Sequence, residues 1–219
     1  MVAESLQRLD FRDPRSWRLI RSVPIPSPGP DHLDFSAGGR SLVVSCEYSG
    51  VVHRVSTTSM RVTGEARVGG LPVDVKLSPG GNRFYVANQG LGGVTMLSAD
   101  TLRILGFVPT GDGAHGLAVS RDSRSLYVAN RLAGTVSVIA FATHRVTATW
   151  RIGGSPDMLQ VSPSGRRLWL SNRFDGTVAV LSTVTGHLIR TIHVGASPHG
   201  LAYFPQPGRY SLGHNGVYR

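Results

Sequence analysis

Pro30, Pro72, Ala114, Pro156 and Pro198 fall on one spacing of 42 residues. Other columns keep the same beat: Gly69, Gly111, Gly153 and Gly195; Gly50, Gly92, Gly134 and Gly176; Ser36, Ser78, Ser120 and Ser162. A constant period of this length marks a repeat architecture. Each unit is a supersecondary element that cannot bury its own apolar face and must stack on its neighbours. The class of fold is therefore narrowed before any single residue is weighed.

One unit reads as four short strands. In the copy that begins near residue 114 they are His115–Ser120, Ser125–Asn130, Thr135–Ala140 and His144–Ile152. Each run is rich in β-branched, aromatic or aliphatic residues and is bounded by turn formers. Ser78-Pro79-Gly80-Gly81-Asn82 and Ser162-Pro163-Ser164-Gly165-Arg166 hold the place of the first hairpin turn, with Pro presetting one dihedral and Gly supplying positive φ. No window shows a sustained helical period with caps. Four antiparallel strands in about 40 residues make the blade of a β-propeller, and the expected fold class is all-β.

The second strand carries Tyr85-Val-Ala-Asn88, Tyr127-Val-Ala-Asn130 and Trp169-Leu-Ser-Asn172, and Gly-Thr-Val follows at 134–136 and 176–178. The Gly-His and Trp-Asp signatures of the WD40 array are missing. Recurring in register, these motifs resemble the YVTN, or YncE-like, family of bacterial β-propeller repeats. The resemblance extends over essentially the whole chain. The family's familiar members are longer, with about seven blades and often an export signal. The resemblance therefore also admits a chain that is the C-terminal portion, or a shortened version, of such a protein.

The two ends read as complementary half-repeats. The C-terminus offers strand one (His199–Phe204) and strand two (Tyr210–His214); the N-terminus offers strand three (Ser5–Phe11) and strand four (Trp17–Ile25). Leu19–Ile25 matches Leu188–Val194 closely. Joined, they would form one composite blade, which hides the sheet edges. The expected plan is a single domain of five blades: half-blades 1–28 and 196–219 around complete blades 29–69, 70–111, 112–153 and 154–195.

With 219 residues and 41% apolar content, the chain can bury a substantial core. No stretch is apolar for long enough to span a bilayer. Met1–Arg8 has no apolar signal region, so the default compartment is the cytoplasm; the resemblance implies export or the cell surface if the natural start lies upstream. The single cysteine, Cys46, stands in the column of Asn88, Asn130 and Asn172 and reads as a small buried residue. The formal charge is +10, but Lys76 is the sole lysine, and Arg40, Arg83, Arg124, Arg166 and Arg209 recur in the first hairpin turn. Arginines spread round a ring do not form the clustered groove, interleaved with stacking aromatics, that nucleic acid needs. The chain is expected to be a monomer that does not bind nucleic acid.

Chemistry is expected just after each anchor, where loops of a propeller converge on the central channel. The residues there are Asp31-His32, Val73-Asp74, His115-Gly116, Asp157-Met158 and His199-Gly200. Each copy offers an Asp or a His. Asp31, His32, Asp74, His115, Asp157 and His199 are thus candidate ligands for zinc, copper or another divalent ion, the one cofactor the pattern suggests. Adjacent residues on a strand point to opposite sides, which would let only some face inward together. The plainer alternative is Asp side chains capping backbone amides and His side chains hydrogen-bonding within the channel. Glu47, Arg131 and Arg173, in a second loop column with Gln89, are candidate ligand-binding residues; the two arginines could share a carboxylate or phosphate, or could simply be solvated. His53, His144, His187 and His193 read as surface or edge residues. No nucleophile elbow or phosphate-cradling loop is found. The functional expectation is a non-catalytic binding module or scaffold that presents a loop-rich face to a ligand or partner protein. The alternative is a metal-dependent hydrolase (lactonase-like) or redox protein built on the His/Asp cluster.

Overall fold

The computed structural model describes residues 1–203, 211–212 and 217–218. The chain is a β-propeller of five blades, and the strands run in sequence order. β1 (Val2–Ala3), β2 (Arg8–Arg12) and β3 (Leu19–Pro24) form a three-stranded sheet. β4 (Pro30–Phe35), β5 (Ser41–Cys46), β6 (Val51–Ser56) and β7 (Arg61–Arg67) make the first four-stranded blade. β8 (Pro72–Leu77), β9 (Arg83–Asn88), β10 (Gly93–Ser98) and β11 (Ile104–Pro109) make the second. The third holds β12 (Ala114–Val119), β13 (Ser125–Asn130), β14 (Thr135–Ala140) and β15 (Arg145–Arg151). The fourth holds β16 (Pro156–Val161), β17 (Arg167–Asn172), β18 (Thr177–Ser182) and β19 (Leu188–His193).

Why the repeat must stack is visible in the burial. Strand residues alternate between two faces, and both faces of an inner strand meet a neighbouring blade. Phe84 and Val86 pack with Val43 and Val52 of the preceding blade, whereas Tyr85 and Ala87 pack with Leu117, Leu126 and Val128 of the following one. The innermost strands β8 and β16 are buried at every position. The outermost strands β7 and β15 alternate between exposed and half-buried residues. The core is thus a set of seams between blades. Each fully buried aliphatic side chain contributes about 1.5–3 kcal/mol to holding a seam shut.

The fifth blade is built on the N-terminal sheet, and its strands are shared out differently from the sequence expectation. Val2–Ala3 pairs with β2 through Val2↔Leu9, so the N-terminus also fills the place of a second strand. His199 occupies the place of strand one: the Ser171 hydroxyl donates to the His199 carbonyl, 2.7 Å away. Ser45 Oγ makes the same bond to the Val73 carbonyl, across the same 28 residues. No strand is formed over 199–203. Ser211–Leu212 pairs with Val217–Tyr218, and the rest of the expected second strand, Tyr210–His214, lies outside the described residues, as does Phe204. Among the described residues, no helix is long and apolar enough to cross a membrane.

Candidate functional site

The anchor prolines begin the inner strands, and the register slips just after each one. Pro30 pairs with Cys46 but Leu33 with Val44; the same slip falls between Pro72 and Val75, Ala114 and Leu117, and Pro156 and Leu159. This is a β-bulge, one extra residue on the inner strand of each blade, and it re-aims the side chains next to it. The simple alternation expected from sequence is broken there. Asp31 and His32 are adjacent, yet their side chains meet: His32 Nδ1 lies 2.8 Å from Asp31 Oδ1.

The candidates divide into two groups. Asp31, His115 and His199 line a cavity of about 510 Å³ at the channel mouth, together with Glu4, Glu47, Tyr48, Arg131, Arg173 and Phe174. All three ligand-binding candidates are therefore brought to one cavity. His32 and Asp157 stand at its base. His32 lies with its ring centroid 6.2 Å from that of His115 and 6.0 Å from that of His199. Asp74 is set apart. It sits one residue further along its strand than Asp157 does, and it is fully buried. Its Oδ1 accepts from its neighbour Val75 N at 2.8 Å, and its Oδ2 accepts from Leu117 N of the next blade at 2.9 Å. Asp34 does likewise for Leu77 N at 2.7 Å. These two carboxylates are struts that stitch one inner strand to the next. Lys76 Nζ, also fully buried, lies 3.7 Å from Asp74.

Asp157 plays the opposite part. It is just as buried, but its partners are side chains. Arg131 Nε donates to Asp157 Oδ1 at 2.7 Å, Arg131 Nη2 reaches the same oxygen, and Arg131 Nη1 donates to Gln89 Oε1 at 3.0 Å. His115 Nδ1 lies 3.3 Å from Asp157 Oδ1, and His199 Nε2 lies 3.6 Å from Oδ2. Arg131 is thus a largely buried member of the site, not a solvated loop residue; its guanidinium also stands 5.8 Å from the Phe174 ring centre. Gly116 lets this corner close. A Cβ there would lie 2.3 Å from the Asp157 carbonyl oxygen, so a side chain would push β12 and β16 apart.

The electrostatics follow from burial and neighbours. Burial, reinforced by Arg131, holds His115 well below the usual imidazole range. Burial also lowers His199, against the pull of Asp157. Burial opposes a charge on His32 too, but the Asp31 hydrogen bond and the Asp74 carboxylate hold its pKa above the ordinary value. Glu47 is raised by burial and by Asp31 and Glu4 beside it. The surroundings thus disfavour a charge on His115 and His199 and favour one on His32. His115, Asp157 and His199 each present a ligand atom, all within 4.8 Å of one another.

Other expectations resolve simply. Asn88 Oδ1 accepts from Leu71 N at 3.0 Å and Leu91 N at 3.2 Å, which is turn-forming chemistry. Cys46 is buried, and burial pushes its thiol pKa up to about 12. His187 and His193 are exposed, as expected. His53 is not a surface residue: it is 1% exposed, and its Nε2 lies 2.8 Å from Ser27 Oγ. His144 Nδ1 meets Tyr85 Oη at 2.8 Å. Glu4 is the cavity residue that sequence reasoning missed. It opens the 3-10 turn Glu4–Leu6 as Glu47 opens Glu47–Ser49, but the two stand one residue off the 42-residue spacing, so the column count hid the match.

Fold and site together define a β-propeller whose charged residues converge on one end of its channel. A profile of the YNCE-like beta-propeller family matches residues 86–207, more than half of the chain, and the chain belongs to that family. No curated protein matches it. Among solved structures it is similar to hydrazine synthase from Kuenenia stuttgartiensis, with TM-score 0.72 and 23% identity over 78% of this chain and 50% of that one. It is also similar to the dihydro-heme d1 dehydrogenase NirN in complex with DHE, with TM-score 0.71 and 20% identity over 91% of this chain and 44% of that one. The Cps50 (Swd1) β-propeller domain of Myceliophteria thermophila matches with TM-score 0.71 and 14% identity, over 85% of this chain and 66% of that one. The chain spans half or less of the first two structures. At these identities the likeness is one of fold.

Proposed function

We propose that the protein is a binding module whose channel mouth takes a small organic anion. The observation that carries this reading is the composition of the 510 Å³ cavity: Arg131 and Arg173 stand with His115 and His199, and Tyr48 and Phe174 form part of the rim. Arg131 is already tied to Asp157 and Gln89. Arg173 is therefore the guanidinium that meets the ligand's carboxylate or phosphate, which it can grip with two parallel donors. Tyr48, Leu132 and Phe174 share one repeat column, in which the second blade has Gly90, and all three are exposed, at 63%, 69% and 68%. That apolar rim suits a ligand with an apolar body, or a partner surface that presents such a group.

Calorimetric titration with aromatic and aliphatic carboxylates and phosphate monoesters tests the reading. At least one class should bind the wild-type chain, with affinity falling about tenfold or more in Arg173→Ala, the loss expected for a charge-assisted hydrogen bond. A panel that never binds, or binding indifferent to Arg173, would overturn it.

The closeness of His115, Asp157 and His199 favours a second reading, a metal-dependent enzyme. That reading requires turnover of a lactone or similar ester that depends on added metal and is lost in His115→Ala.

A further inference from the structure

We propose that the cavity at the channel mouth takes a zwitterion, a free amino acid with an apolar side chain, whose ammonium meets Glu47 and whose carboxylate meets Arg173. The proposal rests on the anion-binding reading and adds the ligand's second charge.

One position of the repeat changes its charge round the ring. The residue that follows β5, β9, β13 and β17 is Glu47, Gln89, Arg131 and Arg173 in turn, each 42 residues from the last. In the fifth blade Glu4 opens the turn before β2, as Glu47 opens the turn before β6. The fifth and first blades pack together, as do the third and fourth. This level of the channel is therefore acidic in two neighbouring blades, neutral in the second blade and basic in the remaining two. Asp31 of the first blade adds a third carboxylate on the acidic side, and His115 comes from the third blade, on the basic side. All of these except Gln89 line the cavity of about 510 Å³. The chain has 13 Asp and Glu against 23 Lys and Arg, so three carboxylates in one cavity are not the background of its composition. A cavity polarised in this way suits two opposite charges on one small molecule; a simple anion would be repelled by the acidic wall.

The protein does not neutralise these groups itself. Among the described residues, neither the Glu47 carboxylate nor the Arg173 guanidinium has a side-chain hydrogen bond or ion pair. Glu4 accepts from Tyr48 Oη at 3.2 Å. Burial, Asp31 and Glu4 raise the pKa of Glu47 against the pull of Arg131, as carboxylates crowded with no cation in contact do. Gln89 and Arg131 are spent on each other and on Asp157, which leaves Glu47 and Arg173 as the free ends of the series.

A separate observation points to an occupant. His115 lines the cavity and is 3% exposed, and its Nδ1 has no hydrogen-bond partner among the described residues. A buried polar group left unpaired is costly, and a ligand oxygen on the basic side gives this imidazole a partner. The rim supplies the place for the rest of the ligand. Tyr48 stands on the acidic side and Phe174 on the basic side, both exposed. An α-amino acid carries its two charges on one carbon, so its side chain leaves the polarised cavity between these rings, where an apolar group is favoured.

The test is calorimetric titration of the full chain with L-phenylalanine, with hydrocinnamate, which lacks the ammonium, and with phenethylamine, which lacks the carboxylate. Phenylalanine should bind about tenfold or more tightly than either, the loss expected when a charge-assisted hydrogen bond is removed. Glu47→Gln keeps the size of a half-buried side chain, and its melting curve checks that the fold is retained. It should bring phenylalanine down to about the affinity of hydrocinnamate without weakening hydrocinnamate, whereas Arg173→Ala should weaken both. Hydrocinnamate binding as tightly as phenylalanine, or a preference for phenylalanine that survives Glu47→Gln, would overturn the proposal and leave the anion reading standing. Phenethylamine binding most tightly of the three would overturn both.

Discussion

β8 and β16 are the same strand of the repeat in two different blades, both wholly buried and each carrying one aspartate near its start. The carboxylates have opposite fates. Asp74 spends its oxygens on the backbone amides of Val75 and Leu117 and leans on Lys76. Asp157 collects Arg131, His115 and His199. A shift of one residue along the strand decides the difference. It moves the carboxylate from the level where adjacent strands are stitched together to the level where loops and inner strands converge. Being a buried acid in a propeller channel is therefore no sign of function by itself. What the acid bonds to decides.

The largest effect is expected at the strut. Asp74→Ala strands the Leu117 amide and the Lys76 ammonium in a dry interior, and breaking such a buried pair costs about 3–5 kcal/mol. Urea unfolding should show it, and a loss below about 1 kcal/mol would erase the distinction between the two strands. Asp157→Asn keeps the volume and leaves partners that are close to the open cavity. Its stability cost should be smaller, about 1–3 kcal/mol, while anion or metal binding changes; a variant that unfolds as Asp74→Ala does would place both acids in one structural class.

A smaller effect separates the third strand from the mouth. Burial holds the His53 pKa below its ordinary value, against the pull of Glu65. The unfolded chain protonates this side chain near about pH 6.5 and the folded chain only at lower pH. The stability that His53 contributes is present above that value and is lost as pH falls through the folded pKa. His53→Asn should flatten the decline of melting temperature below neutral pH without abolishing it, because His115 and His199 titrate in the same direction. The smallest effect is at Cys46, which heads the neighbouring column. With its thiol pKa near about 12 and no exposure, it should resist a thiol reagent at mild alkaline pH until the chain unfolds. Prompt labelling of the folded protein would show that this column opens to solvent.

Much of this molecule could be read in its sequence because the repeat writes each strand several times. The run Ser125–Asn130 was legible as a strand and is β13 residue for residue. The buried place of Cys46 followed from its column. The candidate residues of the mouth came from the same columns. Three things could not be read. The bulge that turns Asp31 and His32 to one side leaves no mark in residue type. The level of Asp74 in the channel depends on that bulge and on the pitch between neighbouring blades. The strand Val2–Ala3 is two residues long and gains its pairing only from β2. The ion pair of Arg131 could not be read for a related reason: nothing local says that its partner is an aspartate 26 residues away on the next blade.

The claim that function sits at the mouth is tested most directly by imidazole proton NMR of the full chain during titration with the carboxylates and phosphate monoesters of the binding reading. All eight histidines lie among the described residues, and they divide by position. The signals of His115 and His199, which line the cavity, should move together and saturate, while those of His53, His144, His187 and His193 stay in place. Movement that begins at the exposed His187 or His193, or signals that never move, would contradict the account.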